Sequence, residues 1–123
     1  MSQPDPGAGL LAHDVYFSLH DGSPDARARL LEAVRKYLPG HPGVLFFACG
    51  ALADELRRDV NDRDFDVALH VVFRDRAAHD HYQGTPEHLA FIAENKHNWR
   101  RVRVFDSVVS QVLTVSSRIE DGG

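Results

Sequence analysis

The stretch "FDVALHVVF", residues 65–73, decides the fold, because apolar side chains occupy every second position along it. A period of two is typical of a β-strand that buries one face. The apolar run "GVLFFACGAL", residues 43–52, predicts another strand just before it, and the highly charged residues 53–64 predict an exposed connection between the two. Two consecutive strands therefore stand in the middle of the chain.

A strand and a helix precede this pair. "LAHDVYFSL", residues 11–19, alternates in the same way, and His13 lies on its apolar face. In the following segment Ser23 is a good N-cap and Pro24 suits the first helical position, so a helix is predicted from there to the Pro-Gly pair at 39–40.

A broken helical region and a last strand follow the pair. Within "HYQGTPEHLAF", residues 81–91, we expect Gly84 to end one helix in the left-handed conformation, Thr85 to cap the next and Pro86 to open it. Residues 99–109 alternate again, with Asp106 on the same side as the valines. The order β-α-β-β-α-β predicts an α+β, ferredoxin-like fold, a four-stranded antiparallel sheet with helices on one face.

The face of the sheet away from the helices is predicted to be too apolar for a monomer. We expect it to carry Tyr16, Ala68, Val72, Phe105 and alternate members of the Phe46 and Phe47 pair. A contiguous apolar patch of a few hundred Å² is unusual on a monomer. The pattern therefore predicts a homodimer formed through the sheet faces.

Composition excludes several classes of protein. The formal charge of −4 argues against a nucleic-acid-binding surface. No apolar run is long enough to span a membrane, no signal peptide is evident, and Cys49 is the only cysteine, so we expect a cytoplasmic protein without disulfides. We predict no cofactor and no metal site, because no binding motif occurs and because His79 and His81 point apart on a helix. The histidines that suit surface or loop positions are His20, His41, His70, His79, His81 and His97.

Tyr82 and His88 are the candidate catalytic residues. On one continuous helix, side chains six residues apart would point about 240° away from each other, whereas a break between them lets both face one point. His88 would lie in the first turn of its helix, where the positive dipole end disfavours the imidazolium, and a neutral imidazole can act as a general base. Tyr82 can donate a hydrogen bond to a carbonyl oxygen. In the alternative interpretation, the break is an ordinary connection between two helices, and Tyr82 and His88 have no catalytic role.

Other polar side chains are predicted to face the same layer. His13 and Asp106 both lie on the helix side of the sheet, and His88 shares a helix face with Phe91 and Ile92. Lone polar residues on apolar faces are most often satisfied core groups. Three of them in one layer favour a site, because each buried unpaired polar group costs about 1–3 kcal/mol.

"AHDVYFSL", "FDVALHVVF", "YQGTPEHLAF" and "WRRVRVFD" together resemble the stress-responsive A/B barrel (Dabb) domain family of the dimeric α+β barrel superfamily. The resemblance covers about residues 11–109. It leaves residues 1–10 as a disordered tail and residues 110–123 as a carboxy-terminal arm or tail. It implies a homodimer whose two sheets pack into a barrel.

The resemblance also implies a chemistry. A plant polyketide cyclase of the family has a Tyr and a His at the spacing of Tyr82 and His88, which implies that His88 removes a proton beside a carbonyl and that Tyr82 holds its oxygen. It implies further that His13 and Asp106 orient or polarise their neighbours. The substrate-binding set is predicted to be His13, Phe91, Ile92, Trp99 and Asp106, with a small apolar or aromatic ligand. The apolar positions between the motifs differ from the cyclase. A non-catalytic, stress-related dimer and a cofactor-free oxygenase are the alternatives.

Overall fold

The computed structural model describes residue 5 and residues 7–116. The regular elements follow in this order: β1 (Leu11–Leu19), α1 (Pro24–Tyr37), β2 (Val44–Ala51), β3 (Val67–Phe73), α2 (Arg76–Gln83), α3 (Pro86–Asn95), a 3₁₀ turn (Lys96–Asn98) and β4 (Trp99–Val108). The predicted element order is therefore confirmed, with the second helical region divided in two.

The four strands form one antiparallel sheet in the order β2-β3-β1-β4. β1 pairs with β3 on one side and with β4 on the other, so His13 lies opposite Val71 and opposite Asp106. This is the predicted ferredoxin-like sheet, in which β1 and β3 are central and β2 and β4 are edges. No helix among the described residues is both long and apolar enough to cross a membrane.

Helix α1 forms where the sequence punctuates it. The Ser23 hydroxyl accepts a hydrogen bond from the Ala26 amide, and Pro24 is the first helical residue. One face of the helix buries Leu30 and Val34 against the sheet, where they join a core of residues from all three helices and from β1 and β3. Removing this apolar surface from water is the main stabilising contribution to the fold.

One predicted strand boundary and one predicted backbone conformation are wrong. β3 begins at Val67 instead of position 65 because the chain bends at Asp66, whose carboxylate accepts hydrogen bonds from the Leu19 amide (2.7 Å) and the Arg27 guanidinium (2.9 Å). Gly84 has φ −106° and not a left-handed conformation. Its amide bonds to the carbonyl of His81, a tight last turn that needs no positive φ.

The helices cover only part of the sheet. On the helix side of the edge strand β4, Val102, Val104 and Val108 remain 40%, 49% and 75% exposed. The outer face exposes half of Phe46 and half of Phe105. Phe46 is thus the member of the phenylalanine pair on that face, whereas its neighbour in β2 packs against the core on the other side.

The connection between β2 and β3 is attached to β4 by charged groups. Arg103 lies 2.6 Å from Asp62, and Arg100 lies 2.6 Å from Asp64, which also meets Arg101 at 3.5 Å. The hydrogen bond from Arg103 lowers the pKa of the Asp62 carboxyl. The basic cluster of β4 is therefore engaged by acidic residues of this connection.

The described residues of the predicted amino-terminal tail contact the chain just after β4. Residues 7–9 form a turn, and the Gly9 amide donates to the carbonyl of Val109. Residues 109–116 have no regular secondary structure. The remaining parts of the predicted tails, residues 1–4, residue 6 and residues 117–123, lie outside the described residues.

Gly43 and Gly40 offer a matched test of the packing between the α1–β2 loop and α2. Both have positive φ, 82° and 84°, but a Cβ at Gly43 would overlap the Cβ of Ala78, whereas one at Gly40 would meet nothing. We expect Gly40→Ala to lower the free energy of unfolding by about 1–2 kcal/mol through backbone strain alone. Gly43→Ala should cost about 1–3 kcal/mol more through overpacking. Urea unfolding measures both, and equal losses would contradict this packing.

Candidate functional site

Tyr82 and His88 face one another across the break between α2 and α3. Their ring centroids are 4.7 Å apart and their planes are inclined by 68°. Tyr82 lies on the buried side of α2 with 1% of its surface exposed, and His88 is the third residue of α3 and half-buried. The bend therefore brings the phenol and the imidazole together, as the spacing of the break predicts.

The Thr85 side chain fixes this bend. Its hydroxyl accepts a hydrogen bond from the His88 amide at 3.2 Å, which caps α3, and it donates to the carbonyl of Tyr82 at 3.2 Å. His41 Nε2 lies 3.0 Å from the same hydroxyl, and its Nδ1 donates to the carbonyl of Leu38 at 2.8 Å. One buried hydroxyl thus joins the end of α2, the start of α3 and the loop after α1.

A cavity of about 170 Å³ lies between the sheet and the two short helices. Both candidate catalytic residues line it, together with four of the five predicted substrate-binding residues: His13, Phe91, Ile92 and Trp99. The other wall residues are mainly apolar: Val15, Phe17, Leu38, Leu69, Gln83, Val102 and Val104. The fifth predicted residue, Asp106, does not line the cavity and reaches it only through His13.

His13 and Asp106 form a cross-strand pair. His13 Nδ1 lies 2.5 Å from Asp106 Oδ1; the imidazole is 5% exposed and the carboxylate 42% exposed. The carboxylate is an acceptor, so Nδ1 of His13 carries a proton and donates it to Asp106. Asp106 therefore orients His13 and does not contact His88.

The environment shifts the pKa of both candidate catalytic groups. Burial raises the pKa of the Tyr82 phenol, so it remains a neutral hydrogen-bond donor. Burial, followed by repulsion from the imidazoles of His13, His41 and His79, lowers the pKa of His88. His88 is therefore held in the neutral form that accepts a proton.

Several polar atoms of residues that line the cavity have no protein partner. Within the described residues, the buried Nδ1 of His88 and the buried Nε1 of Trp99 have no hydrogen-bond partner, and the Tyr82 hydroxyl makes no hydrogen bond. Buried polar groups usually have a hydrogen-bond partner. Polar groups at a cavity that lack one are therefore suited to a ligand that carries its own polar group. The arrangement can bind a carbonyl compound and accept a proton from it.

The structure places two histidines at this site that the sequence analysis did not assign to it. His41 stacks edge-on against Tyr82 at 5.2 Å, and His79 lies 5.1 Å from the ring of His13. Their side chains are only 8% and 15% exposed, so neither is a surface residue. The predicted loop position is correct for His41 and wrong for His79, which lies in α2. For His79 a local signal existed, because it precedes Tyr82 by three residues and so shares its helix face.

Comparisons with known proteins agree with this fold. A sequence model of the stress responsive A/B barrel domain matches residues 11–109. No curated protein sequence matches the chain. A ferredoxin-like Dabb family protein from Mesorhizobium loti superimposes with a TM-score of 0.67 at 26% identity, over 82% of this chain and 97% of the other.

Two further solved structures are similar in fold alone. A dimeric ferredoxin-like protein of unknown function from Thermobifida fusca gives a TM-score of 0.68 at 17% identity, over 89% of this chain and 99% of the other. The hydroxynitrile lyase from Passiflora edulis gives 0.67 at 16% identity, over 87% and 99%.

We expect an NMR pH titration to give His88 a pKa below its ordinary 6.5. Because the folded pKa is lowered, the unfolded chain binds more protons as pH falls below about 6.5, and the free energy of unfolding decreases. His88→Gln should therefore make stability fall less steeply between about pH 7 and pH 5. His81→Gln, at an exposed position of α2, is the matched control and should keep the original slope. A His88 pKa at or above 6.5 would contradict the assignment.

Proposed function

Because the chain belongs to the stress responsive A/B barrel domain family, we propose that it binds a small carbonyl compound in the cavity and removes a proton from it. The observation that carries the proposal is the contact between the Tyr82 ring and a neutral His88 imidazole, whose centroids are 4.7 Å apart and which line the same cavity. A base and a hydrogen-bond donor beside one cavity are the minimum required for enolisation.

The proposed reaction has two proton transfers. His88 takes a proton from the carbon beside the carbonyl, and the electrons of that C–H bond move to form an enolate. The Tyr82 hydroxyl donates a hydrogen bond to the enolate oxygen without losing its proton, because burial raises its pKa. If the substrate has a second carbonyl, the enolate carbon attacks it and forms a ring; the resulting alkoxide then recovers the proton from His88.

The size of the cavity limits the substrate. A dry protein cavity of about 150 Å³ holds one benzene molecule, and this cavity measures about 170 Å³. Its walls are mainly apolar. The proposed ligand is therefore apolar or aromatic and about the size of one ring, and a longer polyketide would extend past the open strand β4.

The alternative of a non-catalytic structural dimer is less well supported. In that case Tyr82 and His88 would form a satisfied polar patch in the core. Within the described residues the Tyr82 hydroxyl and His88 Nδ1 are unpaired, which is costly unless a ligand completes them. The likeness to the Passiflora edulis lyase and to two proteins described as antibiotic biosynthesis monooxygenases, at 13–16% identity, concerns the fold only. It therefore does not favour a cofactor-free oxygenase.

A homodimer through the outer sheet face is part of the proposal. Phe46 and Phe105 are each about half exposed there. Phe105 lines a depression of about 460 Å³ together with Tyr16 and Phe65. The similar proteins from Thermobifida fusca, Bacteroides fragilis and Jannaschia are described as dimeric. With Cys49 the only cysteine, a reducing cytoplasmic location stays a prediction.

Proton abstraction can be tested without the natural substrate. Small aryl ketones, acetophenone first, are incubated with the protein in D₂O, and exchange beside the carbonyl is followed by NMR. We expect exchange above the buffer rate, slowed by about 10²–10⁴-fold in His88→Gln and by about 10²–10³-fold in Tyr82→Phe. Tyr37→Phe and His81→Gln are the matched controls and should not change the rate. If no tested ketone exchanges although ketones bind, the proposed proton abstraction fails and a binding function remains.

Substitutions that introduce a negative charge on the outer face test the dimer. Phe46→Asp and Phe105→Asp should each produce monomers in sedimentation velocity, because a carboxylate would be buried without a partner. Leu89→Asp, on α3 and 55% exposed like Phe105 at 54%, should leave the dimer intact. An unchanged sedimentation coefficient in both outer-face variants would show that the chain does not pair through this face.

A further inference from the structure

Three potential metal ligands converge beside the proposed catalytic pair. One nitrogen each from His13 and His79 and one carboxylate oxygen of Asp106 all lie within 4.8 Å of one another. They come from three separate elements, β1, α2 and β4. No sequence motif predicts this arrangement, because only the fold brings these residues together.

The surroundings of the three ligands suit a bound cation. The His13 and His79 side chains are 5% and 15% exposed. Phe73 lies edge-on to both rings, with centroid distances of 6.0 Å and 5.5 Å, so one side of the cluster is walled by an aromatic ring. Asp106 is 42% exposed on the edge strand, which gives an ion a route from solvent. Charge interactions are stronger in such a partly dry site than in water.

The hydrogen bonds of the cluster already orient one imidazole for a metal. His79 Nδ1 lies 2.9 Å from Asp80 Oδ1, which leaves His79 Nε2 free to act as a ligand. A carboxylate that holds the second nitrogen of a metal-bound histidine is the usual outer-shell arrangement.

The His13–Asp106 contact would have to change when an ion binds. His13 Nδ1 donates a hydrogen bond to Asp106 Oδ1 at 2.5 Å. A metal bound at about 2.0–2.2 Å to each of these atoms would replace that proton and push them apart. Asp106 can move because it lies on an edge strand that the helices do not cover.

From these contacts we propose that His13, His79 and Asp106 form a binding site for a divalent transition-metal ion such as Zn²⁺. Two imidazoles and one carboxylate are the ligands that such ions take, whereas Ca²⁺ and Mg²⁺ require mostly oxygen ligands. Three protein ligands leave at least one position for water or a small ligand on the side of the cavity that His13 lines. The site does not depend on the proposed proton abstraction by His88.

The test measures binding of the metal alone. The full chain, free of any polyhistidine tag, is stripped with EDTA and titrated with ZnCl₂ by calorimetry, and with CoCl₂ by visible absorption. We expect one Zn²⁺ per chain and the intense Co²⁺ spectrum of a low-coordinate site. His79→Gln should weaken binding by more than the about 10–100-fold that loss of an outer-shell partner causes. His81→Gln, the same change two residues later at an exposed position, should bind as the original chain does.

Two results would overturn the proposal. The first is the absence of saturable one-to-one binding to the original chain, and the second is equal affinity in His79→Gln and His81→Gln, which would indicate adventitious binding by surface histidines. If circular dichroism shows that His79→Gln is unfolded, Asp106→Asn supplies the same comparison at a half-exposed position. His88→Gln should retain Zn²⁺ binding, so loss of the proposed enolisation and loss of the metal site are distinguishable.

Discussion

The hydroxyl of Thr85 is the constraint on which the candidate site depends. It caps α3 by accepting from the His88 amide, and it bonds the last turn of α2 through the Tyr82 carbonyl. Each contact alone is an ordinary hydrogen bond contributing about 0.5–1.5 kcal/mol. Because one oxygen makes both, the angle between the two helices is set at a single point, and the phenol and the imidazole meet where a continuous helix would separate them.

Much of the fold could be predicted because its signals are local. Alternation over residues 11–19 assigns the buried face of β1, and Ser23 and Thr85 act as the caps that their residue types predict. The same periodicity indicates which side of each element faces the cavity, and so it correctly assigned Phe91 and Ile92 to one face. The predicted left-handed conformation of Gly84 is wrong, because a glycine at a helix end is compatible with both a left-handed cap and a tight turn.

The remaining features depend on contacts between distant segments. His41 approaches Tyr82 only because the loop after α1 packs beside the joint of the two short helices. Asp106 pairs with His13 through strand register, which periodicity leaves undetermined. The open helix side of β4 reflects the limited width of the helical layer above four strands, since Val102 and Val104 alternate correctly and still remain exposed. These are properties of assembled elements and not of any one segment.

The connection between β2 and β3 is held to β4 by ion pairs between Arg103 and Asp62 and between Arg100 and Asp64, in which the two carboxylates are 60% and 50% exposed. Salt screens exposed charges over about 10 Å at 0.1 M ionic strength, so this attachment weakens as electrolyte is added. The attachment of Asp62 to Arg103, which form part of one wall of the outer depression, is therefore sensitive to ionic strength, whereas the cavity on the helix side has mainly apolar walls. Dissolved salt thus acts unequally on the two sides of one sheet.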